Sequence, residues 1–343
     1  MDSLSSLDLL MQFRPGNVVR RMGHAPLPVL SPRTLRRALR GSTAVMVAFP
    51  VVRPAIVPAI LRAARFEDAV VGFSLPLPLV DRAAPDRLAD QLLAAAGEAD
   101  HTQPIFIEAG PIPVTPDDAQ LEAGIFRCIE AGCTLISLDL TRHPEVPPEA
   151  LARLLEPVRE LDLALELVLP LSGPPPATGP LRRTLDGLGE VGALPDFLRF
   201  SPSVVSAVDG FEPDWLQLLR QVTDSYDIGL SLVEPSEEAL ADVRPWVEGA
   251  LGKVTLPGAF LARALGEAGE VDRDELVERA LAMETSLGAL LSLIEEKLPP
   301  LSENEALRLE ARAFGDAQDL FRAMRLAGSG RRVVEMLEAE ARA

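Results

Sequence analysis

Eight short apolar runs, separated by stretches with helical periodicity, constrain the fold of this chain more than any other feature. The runs are Ala44–Phe49, Ala69–Phe73, Pro104–Glu108, Leu135–Leu138, Ala164–Leu169, Phe197–Ser201, Gly229–Val233 and Gly252–Leu256. Most are continuously apolar rather than alternating, which is how parallel strands buried on both faces read. Between them, Pro58–Arg65, Ala84–Ala96, Asp117–Ala131, Pro148–Leu161, Pro213–Ser225 and Ser236–Glu248 carry amphipathic helical patterns. Thr115-Pro116-Asp117-Asp118 places a cap, a proline and two acids at a helix start, where free amides and the positive dipole end favour them. Pro235-Ser236-Glu237-Glu238 repeats the device. Strands alternating with helices in this number predict an α/β protein of the (β/α)8 TIM barrel type. A doubly wound open sheet is the alternative, but no Gly-x-Gly-x-x-Gly follows the first run.

The barrel is expected over residues 1–270, with residues 1–40 as its lead-in. From about Val271 the pattern changes. Asp272–Lys297, Glu303–Ala327 and Arg331–Arg342 read as helices, broken by Leu298–Ser302 and by Gly328-Ser329-Gly330. Residues 271–343 thus form a C-terminal helical extension, which packs on the outside of the barrel or joins subunits. A homo-oligomer assembled through these helices is the expected state. The proline-rich stretch Leu169–Pro180 cannot be regular structure and reads as a surface loop.

A net charge of −18 argues against nucleic acid and anionic membranes as partners, since both require a basic surface. No apolar run reaches the length of a membrane span, and Met1 to Gly23 lacks the features of a signal peptide. A cytoplasmic protein is expected. Cys128 and Cys133 are the only cysteines and read as small buried hydrophobes rather than a metal pair.

Several segments carry a resemblance. Leu27-Pro28-Val29-Leu30-Ser31-Pro32, Leu35 to Ala38 and Ala44-Val45-Met46-Val47-Ala48-Phe49 form an opening in which a helix leads into a strand. Pro104-Ile105-Phe106-Ile107 through Ala131-Gly132-Cys133-Thr134 follows, then Leu135-Ile136-Ser137-Leu138-Asp139-Leu140-Thr141-Arg142-His143-Pro144. Leu163-Ala164-Leu165-Glu166-Leu167 and Gly252-Lys253-Val254-Thr255 complete the set. In order and spacing, from about residue 27 to 268, these resemble the class II fructose- and tagatose-bisphosphate aldolases. The resemblance implies a barrel, a divalent cation and a carbonyl, sugar-like substrate.

The departures from that pattern fall where the chemistry sits. At the end of the third strand, Ile107-Glu108-Ala109-Gly110-Pro111 stands where the family has a His-x-Asp-His motif. Phe200-Ser201-Pro202-Ser203-Val204 replaces a His-Gly ligand motif. Leu232-Val233-Glu234-Pro235-Ser236-Glu237 replaces the glycine-rich loop that supplies a zinc ligand and a phosphate cradle. Pro50 and Thr255 stand where the family has asparagines. Zinc is left without its ligand set and a bisphosphate without its nest.

Four carboxylates remain at strand ends: Glu108, Asp139, Glu166 and Glu234. Asp139 and Glu166 match positions that hold a second cation in the resembling family, and an oxygen-only pair suits Mg or Mn. Alternatively these acids cap helices or pair with Arg53, Arg142 or Arg199. Lys253, entering an apolar strand, is a candidate Schiff-base lysine, with Glu108 as its catalytic companion; the competing role is a structural ion pair. His143 is a candidate general base in a loop, while His24 and His101 carry no expected role. Arg331-Arg332 is a weak anion-site candidate.

Two functions follow. The first is an aldolase-like barrel without zinc-dependent activity, a pseudoenzyme serving as a scaffold, a partner of another protein or a small-molecule-binding subunit, with no cofactor. The second is an active carbon–carbon lyase or isomerase of carbohydrate metabolism, using a hard cation on Asp139 and Glu166, or Lys253 covalently.

Overall fold

The computed structural model describes residues 5–51, 56–76, 82–115, 119–169, 178–199, 213–233, 251–255, 273–282, 290 and 300–342. Eight parallel strands close into a barrel in sequence order: β1 (Met46–Pro50), β2 (Val71–Leu75), β3 (Ile105–Pro113), β4 (Leu135–Asp139), β5 (Ala164–Val168), β6 (Phe197–Arg199), β7 (Gly229–Val233) and β8 (Lys253–Thr255). Strands β1 to β6 and β8 are buried throughout, save the end of β3 and half-buried Asp139, as their unbroken apolar runs require.

The helices Ile56–Glu67, Ala84–Ala99, Ala119–Glu130 and Pro213–Asp224 stand within a few residues of their expected spans. The stretch expected as one helix over Pro148–Leu161 is two, Pro148–Leu154 and Glu156–Glu160. Pro157 causes the break, because it has no amide to continue the ladder. A helix at Thr178–Glu190, which sequence reading missed, follows β5. Pro116 to Asp118, most of the loop at 169–180 and the expected helix at 236–248 lie outside the described residues.

Parallel register and pleat together sort the inward-facing side chains into layers of four, each drawn from alternate strands. The lowest holds Met46, Phe106, Ala164 and Gly229, and the next holds Gly72, Leu135, Phe197 and Lys253. Above them come Ala48, Glu108, Glu166 and Ser231, then Ser74, Ser137, Arg199 and Thr255. The lower half is close-packed by pairing large with small. A Cβ on Gly72 would lie 2.1 Å from the Phe106 ring, and one on Gly229 would lie 2.9 Å from Phe197.

The lead-in closes the N-terminal end of the barrel. Val29 bridges to Ile105, and Arg33, on the helix Pro32–Ala38, forks onto Asp196 with Nε and Nη2 at 2.7 and 3.0 Å. Asp196 also accepts the Leu165 amide at 2.9 Å, which ties the lead-in to β5. Cys128 and Cys133 are buried free thiols, and Asn17 Nδ2 donates to the backbone carbonyls of Ile129 and Cys133.

The C-terminal helices pack on their own barrel. Glu303–Ala323 opens with a capping box at Ser302 and Glu305 and lies along Ile56–Glu67. Its Phe321 meets Phe49 of β1 edge-on at 5.9 Å. The helix Ser329–Arg342 is seated on the turn before β2. There Gly330 donates to the Asp68 carbonyl, Arg331 N–H to the Asp68 carboxylate, and Ser329 Oγ accepts the Val70 amide. Asp68 thus caps the first turn of this helix through the helix's backbone amides, with no part in that bond for the Arg331 side chain.

Candidate functional site

The two polar layers meet at a buried charge cluster. Lys253 rises from β8 and places Nζ 2.6 Å from Glu108 Oε2 and 2.8 Å from Glu166 Oε2. Arg199 reaches in from β6 and brings Nη1 to 3.3 Å from Glu108 Oε1, 3.2 Å from Glu166 Oε1 and 3.3 Å from Ser137 Oγ. Ser137 donates to Glu166 Oε1 at 2.8 Å, and Thr255 Oγ1 lies 3.1 Å from Glu108 Oε2 and from Lys253 Nζ. Glu108, Glu166 and Lys253 are fully buried, and the Arg199 side chain is 3% exposed.

Each of these groups would be costly to bury alone. Two carboxylates against an ammonium and a guanidinium sum to zero, so the charges sustain one another. Burial opposes the ionisation of Glu166, but Lys253, Arg199 and the Ser231 hydroxyl outweigh it and hold its pKa down to about 2. The carboxylate is therefore ionised at neutral pH and fully engaged by cations of the protein itself. Lys253 Nζ is engaged by both carboxylates, whereas a Schiff base needs a nitrogen free to attack a carbonyl carbon.

The expected site residues divide. Glu108, Glu166 and Lys253 come together, with Arg199 as the counter-ion named among the pairing arginines. Asp139 does not join them. Ser137, rather than Asp139, is the cross-strand neighbour of Glu166. Asp139 stands two residues nearer the C-terminal mouth, a rise of about 6.6 Å. Its Oδ1 accepts the Thr141 amide at 2.8 Å and the Thr141 hydroxyl at 2.6 Å, a local turn. His143 is partly exposed and pairs with Glu145 at 3.0 Å, and His101 is buried away from the mouth with Nδ1 3.1 Å from the Leu61 carbonyl. Arg53 and Glu234 lie outside the described residues. Sequence reading missed Ser74, Ser137 and Ser231, whose only signal was a polar residue at an inward position of an apolar strand, and noted Thr255 only as a departure from the resembling family.

A zinc ion does not fit these donors. Among the described residues no three His, Cys, Asp or Glu side chains gather as a metal set. At the end of β3 the chain bulges through Gly110, where a Cβ would lie 2.4 Å from the Ser137 carbonyl. That backbone approach excludes a side chain at position 110.

A closed eight-stranded barrel, a lead-in across its base and helices appended at its C-terminus define a (β/α)8 TIM barrel with a C-terminal helical extension. Solved structures of class II fructose-bisphosphate aldolase type share this fold. The YdjI aldolase from Escherichia coli K12 aligns with a TM-score of 0.64 and 12% identity, over 88% of this chain and 99% of that one. The fructose-bisphosphate aldolase of Campylobacter jejuni aligns with a TM-score of 0.62 and 14% identity, over 88% and 97% of the two chains. No known family profile matches the sequence, and no curated protein does.

Proposed function

We propose that this chain is an aldolase-like barrel without zinc-dependent aldolase activity, serving as a non-catalytic, small-molecule-binding or scaffold subunit. One observation carries the reading: Glu166, which would have to hold a cation, and Glu108, which would have to activate a lysine, are neutralised by Lys253 and Arg199 inside the barrel. Displacing either cation to admit a metal would break a buried ion pair, at a cost of about 3–5 kcal/mol. The fold brings carbonyl and sugar chemistry to mind, but fold does not transfer activity.

Metal analysis by mass spectrometry, on protein purified without chelator or affinity-tag metal, tests this directly. The expected result is no stoichiometric Mg, Mn or Zn. Retention of one equivalent by wild type, lost in both Asp139→Ala and Glu166→Ala, would overturn the reading in favour of a cation-dependent lyase. Borohydride trapping with a carbonyl compound addresses Lys253, and no covalent adduct is expected there.

A further inference from the structure

We infer that the outer face of the helix Glu303–Ala323, with Phe66 beside it, is the contact surface of a two-fold dimer of this chain. Such a dimer is independent of whether the barrel binds a ligand.

One edge of the face is apolar. Phe66 and Leu307, 69% and 58% exposed, are the two most exposed large apolar side chains among the described residues. Phe66 meets Phe314 edge-on at 6.5 Å, and Leu307 stands about two turns before Phe314 on the same side of the helix. Together they form one strip rather than scattered exposures. The middle of the face is small. Gly315 lies well inside the helix, where glycine is the poorest former after proline. A Cβ there would meet nothing within 4 Å, so no contact inside the chain requires the glycine. With exposed Ala311 one turn before it, Gly315 lets the backbone of another helix approach closely. The far edge is charged. Arg308 and Asp319 stand there, about three turns apart. Both are exposed, and neither side chain makes a hydrogen bond or ion pair among the described residues. Arg308 is drawn only at longer range to Glu305, and Asp319 to Arg322, on the same helix.

Charge complementarity names the occupant. A net charge of −18 sets copies of this chain against one another over most faces. Around this face the acids are matched: Glu310 by Arg62, Asp100 by Arg65, Asp316 by Arg312 and Glu67 by Arg322. In a two-fold contact residue i meets j and j meets i. Turning a second helix antiparallel about a point between Ala311 and Gly315 sets each Arg308 against the partner's Asp319. The same turn joins the Phe66 and Phe314 edges of the two copies. A parallel pair would instead set the charged edge of one helix against the apolar edge of the other. The face therefore complements itself in one orientation.

Sedimentation equilibrium of the full chain tests the inference, and a monomer–dimer equilibrium in the micromolar range is expected. Gly315→Leu points a side chain into open space, so the variant is expected to keep its circular dichroism and to be monomeric. Arg308→Asp and Asp319→Arg each set like charges across the two-fold, and each is expected to weaken the dimer by about tenfold. The double variant restores both pairs with their signs exchanged and is expected to return to within about threefold of wild type. This exchange stands as a test of its own, because neither side chain holds a partner in the monomer. A wild-type chain that stays monomeric throughout the micromolar range overturns the inference. So does a dimer that survives Gly315→Leu, or a double variant that associates no better than the single ones.

Discussion

At the residue scale, Lys253 is the keystone of the charge cluster. Its removal leaves Glu108 and Glu166 facing one cation instead of two. Lys253→Met is therefore expected to lower the unfolding free energy by about 3–5 kcal/mol in urea titration. Adding Glu108→Gln to that variant should recover part of the loss, since it restores neutrality; no recovery would mean that the charges are not coupled. His101 offers a second prediction. Burial above all pushes its pKa from 6.5 down to about 4. The unfolded chain binds this proton below about 6.5, whereas the native one binds it only below about 4. Stability is full above 6.5 and falls as pH drops through that window, by about 3 kcal/mol. Glu166 acts in the next window, with its contribution intact above its ordinary 4.5 and lost as pH falls toward about 2. His101→Gln should flatten the stability profile between pH 6.5 and 4 and leave the lower limb unchanged. A wild-type profile already flat in the upper window would contradict the assignment.

At the element scale, the strands were legible because a parallel barrel buries both faces, and such runs stand out in any reading. Helix ends were less so. Gly328-Ser329-Gly330 reads as a break, yet the helix begins at Ser329. Its capping group, Asp68, comes from the far end of the sequence, so no local pattern announces it. Gly330 is a glycine because a Cβ there would stand 2.5 Å from Asp68 Oδ1. Ser329 Oγ accepts the buried Val70 amide at 2.8 Å. Ser329→Ala would strand that amide, and a loss of about 1–3 kcal/mol is expected in chemical denaturation. The site was half legible for a similar reason. Glu108, Glu166 and Lys253 drew notice as charges in apolar strands. Ser74 and Ser137 did not, because a lone hydroxyl is common in strands and only the barrel register shows that these point inward in one layer.

At the scale of the whole molecule, the barrel is divided across its axis, with a lower half packed by Phe106, Phe197, Leu135 and Met46 and an upper half filled by charge. Nothing in the fold demands the upper half, since barrels are commonly filled with branched apolar side chains. Buried ion clusters are often no more stable than apolar groups of similar volume. Replacing all four members together, Glu108→Leu, Glu166→Leu, Arg199→Met and Lys253→Met, leaves no unpaired charge. Such a variant is expected to fold, with a melting temperature equal to or above wild type and a gain of up to about 1–4 kcal/mol. A variant that folds and melts at or above wild type would mean that the fold does not require the charges. A variant that collapses to a loosely packed state, by loss of near-ultraviolet circular dichroism, would mean that the cluster specifies the barrel itself.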